Sequence, residues 1–123
     1  MGKRILLVDD EEETRNVFET ALKSGGYDVV TVGNGQETLN ILQTQAFDLI
    51  LLDQMMPDMS GNETLKRIRT IPSAADTRVA MLTNFGHDEM VKEALNFGAT
   101  EYILKYQVSP EDLKEKVKSM LGE

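Results

Sequence analysis

The sequence predicts a doubly wound α/β domain: five parallel strands in the order 2-1-3-4-5, with helices on both faces. Two observations carry this expectation. Five short apolar runs, Arg4–Val8, Asp28–Val32, Asp48–Leu52, Arg78–Leu82 and Glu101–Lys105, are each followed by a longer segment with helical spacing. In addition, Ile5-Leu6-Leu7-Val8 and Leu49-Ile50-Leu51-Leu52 are apolar throughout instead of alternating, the pattern of strands covered on both faces. Right-handed crossovers between successive parallel strands then favour the doubly wound arrangement.

Local signals justify each element in turn. The first strand is central, and the helix after it carries Val17, Phe18, Ala21 and Leu22 as its expected buried face, with Gly25-Gly26 able to end it in the left-handed conformation. After the second strand, Asn34-x-x-Glu37 resembles a capping box that opens a helix bearing Leu39 and Leu42. The third strand is the other central one, and Ser60-x-x-Glu63 opens a helix with Leu65 and Ile68. Beyond the fourth strand, Val91, Ala94 and Leu95 form the apolar stripe of a helix that Gly98 can close. The fifth strand leads to Ser109-Pro110, a cap followed by proline at the first helical position, and to a last helix with Leu113, Val117 and Leu121.

Composition narrows the function classes. A chain of 123 residues with 41% apolar content suits one domain and one continuous core, expected here over residues 1–123 without an output domain. No apolar run approaches the roughly 20 residues of a membrane span. With no cysteine, disulfides, thiolate metal sites and cysteine nucleophiles are excluded, which fits a reducing compartment and makes the cytoplasm the expected location. A formal net charge of -8 opposes direct nucleic-acid binding. Met1-Gly2 does not make a myristoylation signal, because position 6 is Leu6.

In doubly wound sheets, ligands bind beyond the carboxyl ends of the strands. Strand one ends in Asp9-Asp10-Glu11, strand three in Asp53, strand four in Thr83 and strand five in Lys105. Strand two runs into Gly33-Asn34-Gly35 and supplies nothing charged, as expected of a strand at the sheet edge. Three carboxylates gathered at one edge repel one another unless a cation offsets them. An all-oxygen set without His or Cys suits Mg²⁺. Phosphoryl transfer needs a nucleophile, a metal and donors for the charge on the phosphoryl oxygens. Asp53 would be the nucleophile, Asp10 assisted by Asp9 would hold the metal, and Lys105 and the Thr83 hydroxyl would pair with phosphoryl oxygens. Each residue singly has a plainer reading as a cap, a turn residue or a solvated charge; it is their joint appearance at four strand ends that points to this chemistry.

At these residues the chain resembles the receiver domains of bacterial two-component response regulators, the CheY-like superfamily with its flavodoxin-like fold. The resemblance spans the whole chain and rests on Leu7-Val8-Asp9-Asp10-Glu11, Leu51 to Gly61 around Asp53, Met81-Leu82-Thr83, Gly98-Ala99 and Tyr102-Ile103-Leu104-Lys105. It implies a signalling domain, not a turnover enzyme, whose only catalysis is its own phosphorylation and dephosphorylation. Asp53 would take the phosphoryl group from a sensor histidine kinase, a phosphotransfer protein or a small donor, and the backbone carbonyl of Met55 would complete the metal shell. Thr83 and Tyr102 would be the switch residues. They would alter the face made by helix four, strand five and helix five, where a downstream protein partner binds, and the chain would be a monomer or a phosphorylation-dependent dimer.

Three departures from the common family pattern stand out. Tyr106 follows the lysine where proline is usual. Asn84 follows the threonine where a small residue is common, and it would either crowd Asp53 or hydrogen-bond the phosphoryl group. Met55 and Phe85 occupy the positions that flank the hydrolytic water's route in this family; both are apolar, which implies a long-lived acyl phosphate. His87, the only histidine, reads as an exposed helix-start residue and not as a phosphorelay histidine, and Met55, Met56 and Met59 read as loop packing. The rival readings are a phosphorylation-independent binding module on the same fold, a flavodoxin and an aspartate-nucleophile phosphatase. Asp9-Asp10-Glu11 would repel a flavin phosphate, and the phosphatase pattern would place an Asp where Met55 stands.

Overall fold

The computed structural model describes residues 2–123. The elements alternate in order: β1 (Arg4–Val8), α1 (Glu12–Ser24), β2 (Asp28–Val32), α2 (Gly35–Leu42), β3 (Leu49–Leu52), α3 (Gly61–Ile68), β4 (Arg78–Thr83), α4 (Asp88–Asn96), β5 (Glu101–Leu104), a 3₁₀ turn (Lys105–Gln107) and α5 (Pro110–Met120). All strand pairs are parallel, in the order β2-β1-β3-β4-β5, as the sequence predicts.

The central strands are apolar on both sides because each side faces a helical layer. Ile5, Leu7, Leu49, Leu51, Ala80 and Leu82 pack with Phe18 and Leu22 of α1 and with Leu113, Val117 and Leu121 at α5. The alternate residues Leu6, Val8, Ile50, Leu52, Val79 and Met81 pack with Leu42 of α2, Leu65 and Ile68 of α3, and Ala94 of α4. Removing each such side chain from water favours folding by roughly 1.5–3 kcal/mol, which pins the register: a slip of one residue would exchange the two faces.

Helix starts follow the capping residues, with one refinement. Asn34 Oδ1 accepts from Glu37 N, and Ser60 Oγ accepts from Glu63 N. Neither glutamate completes the reciprocal bond, since Glu37 turns to Gly33 N and Glu63 to Arg67. The full box is at α5, where Ser109 and Asp112 cap one another. Gly26 and Gly98 have φ of 89° and 84°, the left-handed closures expected of them, whereas Gly25 keeps a negative φ.

The structure corrects two helical stripes. Val17 is 52% exposed and Leu95 is 49% exposed, although both were expected in the core. One residue step turns a helix by about 100°, and at these two doublets only one member faces the sheet. Phe18 takes that place in α1 and Ala94 in α4. The strand ends also shift slightly. β3 begins at Leu49, since Asp48 N still donates to Arg4 O but Arg4 N turns to the Asp48 carboxylate; β4 extends to Thr83; and Lys105 opens the 3₁₀ turn instead of ending β5.

Candidate functional site

Register brings the polar strand ends together. Val8 pairs with Leu52, so Asp9 and Asp53 emerge side by side, each donating its backbone N–H one strand over, to Val32 O and Val8 O respectively. Thr83 pairs with Leu104, which places Lys105 just past the end of the neighbouring strand. Asp9, Asp53, Thr83 and Lys105 are all buried, and Asp10 is exposed at the rim.

Lys105 is the centre of the charge arrangement. Its Nζ lies 2.7 Å from Asp9 Oδ2, 3.1 Å from Asp53 Oδ2 and 3.8 Å from Glu11 Oε1. Burial works against its charge, but the two carboxylates outweigh that and hold its pKa above the ordinary lysine value. For Asp9, burial pushes the carboxyl upward and the Asp53 charge adds to this; the Lys105 ammonium and the hydrogen bond from Glu11 N offset it only partly. Asp53 Oδ1 accepts from Gln54 N at 2.7 Å, and Thr83 Oγ1 accepts from Phe85 N at 3.3 Å.

One lysine does not balance this acidic set. Asp9, Asp10 and Asp53 each offer a carboxylate oxygen, and these oxygens lie within 4.8 Å of one another. Asp9 Oδ2, buried and close to the ammonium, still accepts no hydrogen bond of good alignment. Three gathered carboxylates offset by one ammonium, with no nitrogen or sulfur ligand among them, fit a hard divalent cation such as Mg²⁺.

The other predicted residues lie around this centre. Asp10, Glu11, Asp53, Met55, Asn84 and Phe85 line a cleft of about 310 Å³. Met55 and Phe85 stand half-exposed on its walls and Asn84 is exposed, so the three flank the approach to Asp53 without filling it. Met56 packs on the core, Met59 is half-buried beside Gly35, and Met55 is not packed as loop filler. Tyr102 is half-buried; its hydroxyl donates to Phe85 O, and burial raises its pKa. Tyr106, 70% exposed, takes no part in the buried cluster. His87 is the exposed N-cap of α4 and its side chain makes no capping bond.

Sequence reasoning missed two buried amides directly behind the acceptor position. Gln54 Oε1 accepts from Asn62 N at 2.7 Å, Gln54 Nε2 donates to Asn62 Oδ1 at 2.9 Å, and Asn62 Nδ2 donates to Met90 O at 3.0 Å. Arg69 was missed as well: its guanidinium donates to the carbonyls of Ala75, Thr77, Phe97 and Gly98, tying the end of α3 to the chain after α4. The one available signal for Gln54 was its place directly after Asp53, two residues past a fully apolar strand.

Comparison with known proteins places this geometry. The phosphate regulon transcriptional regulatory protein PhoB of Pseudomonas aeruginosa is 36% identical over 121 residues, covering 98% of this chain and 52% of the relative. The chain spans about half the length of the curated relatives it matches. A crystal structure of a CheY-like response regulator receiver domain protein from Methanospirillum hungatei JF-1 superposes with a TM-score of 0.92 at 34% identity, covering 99% of this chain and 95% of that one. The receiver domain of a sensor histidine kinase from Pseudomonas aeruginosa PAO1, solved with a magnesium ion coordinated in its active site cleft, superposes with a TM-score of 0.88 at 26% identity over the full length of both chains. Residues 5–118 match the response regulator receiver domain family, and with the strand order and the acidic cleft already described, the chain belongs to that family.

Proposed function

We propose that Asp53 is the phosphoacceptor of a Mg²⁺-dependent phosphorelay domain, with a sensor histidine kinase, a phosphotransfer protein or a small acyl phosphate as donor. The observation that carries this reading is the buried Lys105 ammonium set between Asp9 and Asp53, with the Thr83 hydroxyl at the adjoining strand end. An Asp53 carboxylate oxygen attacks phosphorus, the bond from phosphorus to the donor's leaving atom breaks, and the donor departs with that electron pair. Lys105 and the Thr83 hydroxyl donate to the phosphoryl oxygens, while burial excludes water from the pair. Asp9, Asp10, Asp53 and the Met55 carbonyl would hold Mg²⁺, which supplies positive charge to those oxygens when bound.

Residues 1–123 act on this reading as one receiver unit whose output is protein binding at the face of α4, β5 and α5, as a monomer or a phosphorylation-dependent dimer, with no direct contact to nucleic acid. Thr83 and Tyr102 are its switch residues. A cytoplasmic location goes with the kinase donor and the cysteine-free composition.

The test is intact mass after incubation with acetyl phosphate and Mg²⁺, comparing the native chain with Asp53→Ala and with a metal-free control. The expected result is a metal-dependent gain of one phosphoryl group that is absent in Asp53→Ala. No gain, even with a phosphorylated histidine kinase as donor, would overturn the phosphoacceptor reading in favour of a phosphorylation-independent binding module. Followed over time, the phosphoprotein is expected to outlast seconds, because Met55 and Phe85 place apolar surface on both sides of the cleft; decay within seconds would refute that part.

A further inference from the structure

We propose that Gln54, acting through Asn62, is the positioning residue that carries the state of Asp53 to the first turn of α4. The inference rests on Asp53 being the phosphoacceptor and assigns a route for its output.

Two hydrogen-bond routes, one from Asp53 and one from Thr83 at the neighbouring strand end, meet on the Gln54 amide. Along the first, Gln54 N donates to Asp53 Oδ1, its side chain makes two bonds with Asn62, and Asn62 Nδ2 donates to Met90 O in the first turn of α4. Along the second, Thr83 Oγ1 accepts from Phe85 N, Phe85 O accepts from the Tyr102 hydroxyl, and that hydroxyl accepts from Gln54 Nε2 at 3.4 Å. Turning the Asp53 carboxylate into an acyl phosphate weakens it as an acceptor for Gln54 N. Donation from the Thr83 hydroxyl to a new phosphoryl oxygen also draws on Oγ1, the atom that accepts from Phe85 N, and reorients it. Both changes reach Gln54.

Stability alone does not call for this amide pair. Gln54 is 1% exposed and Asn62 4%, and replacing two hydrogen-bonded buried groups with apolar groups of the same shape is often nearly neutral. What a fully satisfied pair adds is direction, since it holds α3 and α4 in one arrangement relative to the strand end. The receiving helix is free to respond. α4 buries only Ala94, and a groove of about 620 Å³ lined by Gln54, Asn62, Met90 and Phe97 separates it from α3. A helix with so little buried surface belongs to the readily opened part of a fold. Breaking or keeping the bond to Met90 O therefore gives α4 two packings for the acceptor to bias.

The experiment compares the native chain with Gln54→Met, which keeps length and removes both polar atoms, and with Asn62→Asp, which keeps shape but cannot donate to Met90 O. Intact mass reads phosphorylation by acetyl phosphate and Mg²⁺, and amide hydrogen exchange reads protection over residues 88–92 before and after. Phosphorylation of the native chain is expected to change that protection roughly tenfold, the ordinary scale of coupling between sites. In both variants phosphorylation proceeds and the change falls below about twofold. If the variants are phosphorylated and α4 responds as in the native chain, the route is wrong while the acceptor stands. If the native chain gains no phosphoryl group, the acceptor reading falls and takes this proposal with it. Should Gln54→Met fail to fold, Asn62→Asp decides the matter alone, since it exchanges a single heavy atom of the side chain.

Discussion

Lys105→Met is expected to lower stability by roughly 3–5 kcal/mol at neutral pH without Mg²⁺, the usual cost of removing one partner of a buried ion pair. The variant leaves Asp9 and Asp53, 1% and 4% exposed, facing one another with no protein cation between them. The cost depends on pH with a definite sign. Without the ammonium, burial and mutual repulsion raise the folded-state pKa of the carboxylates above the unfolded value, so the destabilisation is absent below about pH 4 and grows as pH rises. Mg²⁺ offsets it by supplying the missing charge. In the native chain, Lys105 sets the other limit: while its partner carboxylates are ionised, its pairing stabilises fully up to the ordinary lysine value of 10.5 and fades as pH rises through the higher folded value. Urea unfolding of both proteins at pH 5 and pH 8, with and without Mg²⁺, checks this. A variant as stable as the native chain at pH 8 without metal would show that the carboxylates do not depend on Lys105. Its phosphorylation rate is expected to fall by about 10²–10³, the range for losing one preorganised donor to a transferring group.

The contrast between what the sequence displayed and what it concealed has a physical basis. Asp9, Asp53, Thr83 and Lys105 were legible because each directly follows or closes an apolar run, and a parallel sheet carries all such positions to one edge. The central place of β1 and β3 was legible for a related reason, since Ile5–Val8 and Leu49–Leu52 are apolar throughout and had to be covered on both faces. Gln54 and Asn62 were not legible. Their burial depends on a tertiary approach of α3 to the end of β3, and no period of 2 or 3.6 announces an amide that is buried because another amide lies opposite it. Val17 and Leu95 failed for the converse reason: they are apolar and next to a core residue, and about 100° of helical rotation turns them to solvent. Exposed apolar residues of this kind are common on folded proteins, so neither marks a site by itself.

The same approach of α3 to β3 makes Gly61→Ala the second large effect. A Cβ at Gly61 would lie 2.2 Å from Asp53 O, 2.8 Å from Met81 Cε and 2.9 Å from Gln54 Cα. Two of these neighbours are backbone atoms of the acceptor segment, so no side-chain rotation relieves the contact, and α3 must back away from the strand end. That movement stretches the bond from Gly61 N to Gln54 O, 2.8 Å in the native chain, and the bond from Asn62 N to Gln54 Oε1. Overpacking of about 1–3 kcal/mol and the loss of buried hydrogen bonds at about 1–3 kcal/mol together outweigh the gain of up to about 1 kcal/mol in helix propensity. The expected net destabilisation is roughly 3 kcal/mol, a large share of the 5–15 kcal/mol typical of a domain. Gly26→Ala is the matched control. There a Cβ meets nothing within 4 Å and only the φ of +89° opposes the change, for a cost of about 1 kcal/mol. Denaturant midpoints for the two variants separate the effects. Equal losses would mean that α3 adjusts freely and that its seating against Asp53 is loose. A larger loss at Gly61, with slower phosphorylation in the folded fraction, would mean that the same close contact fixes both the helix and the acceptor.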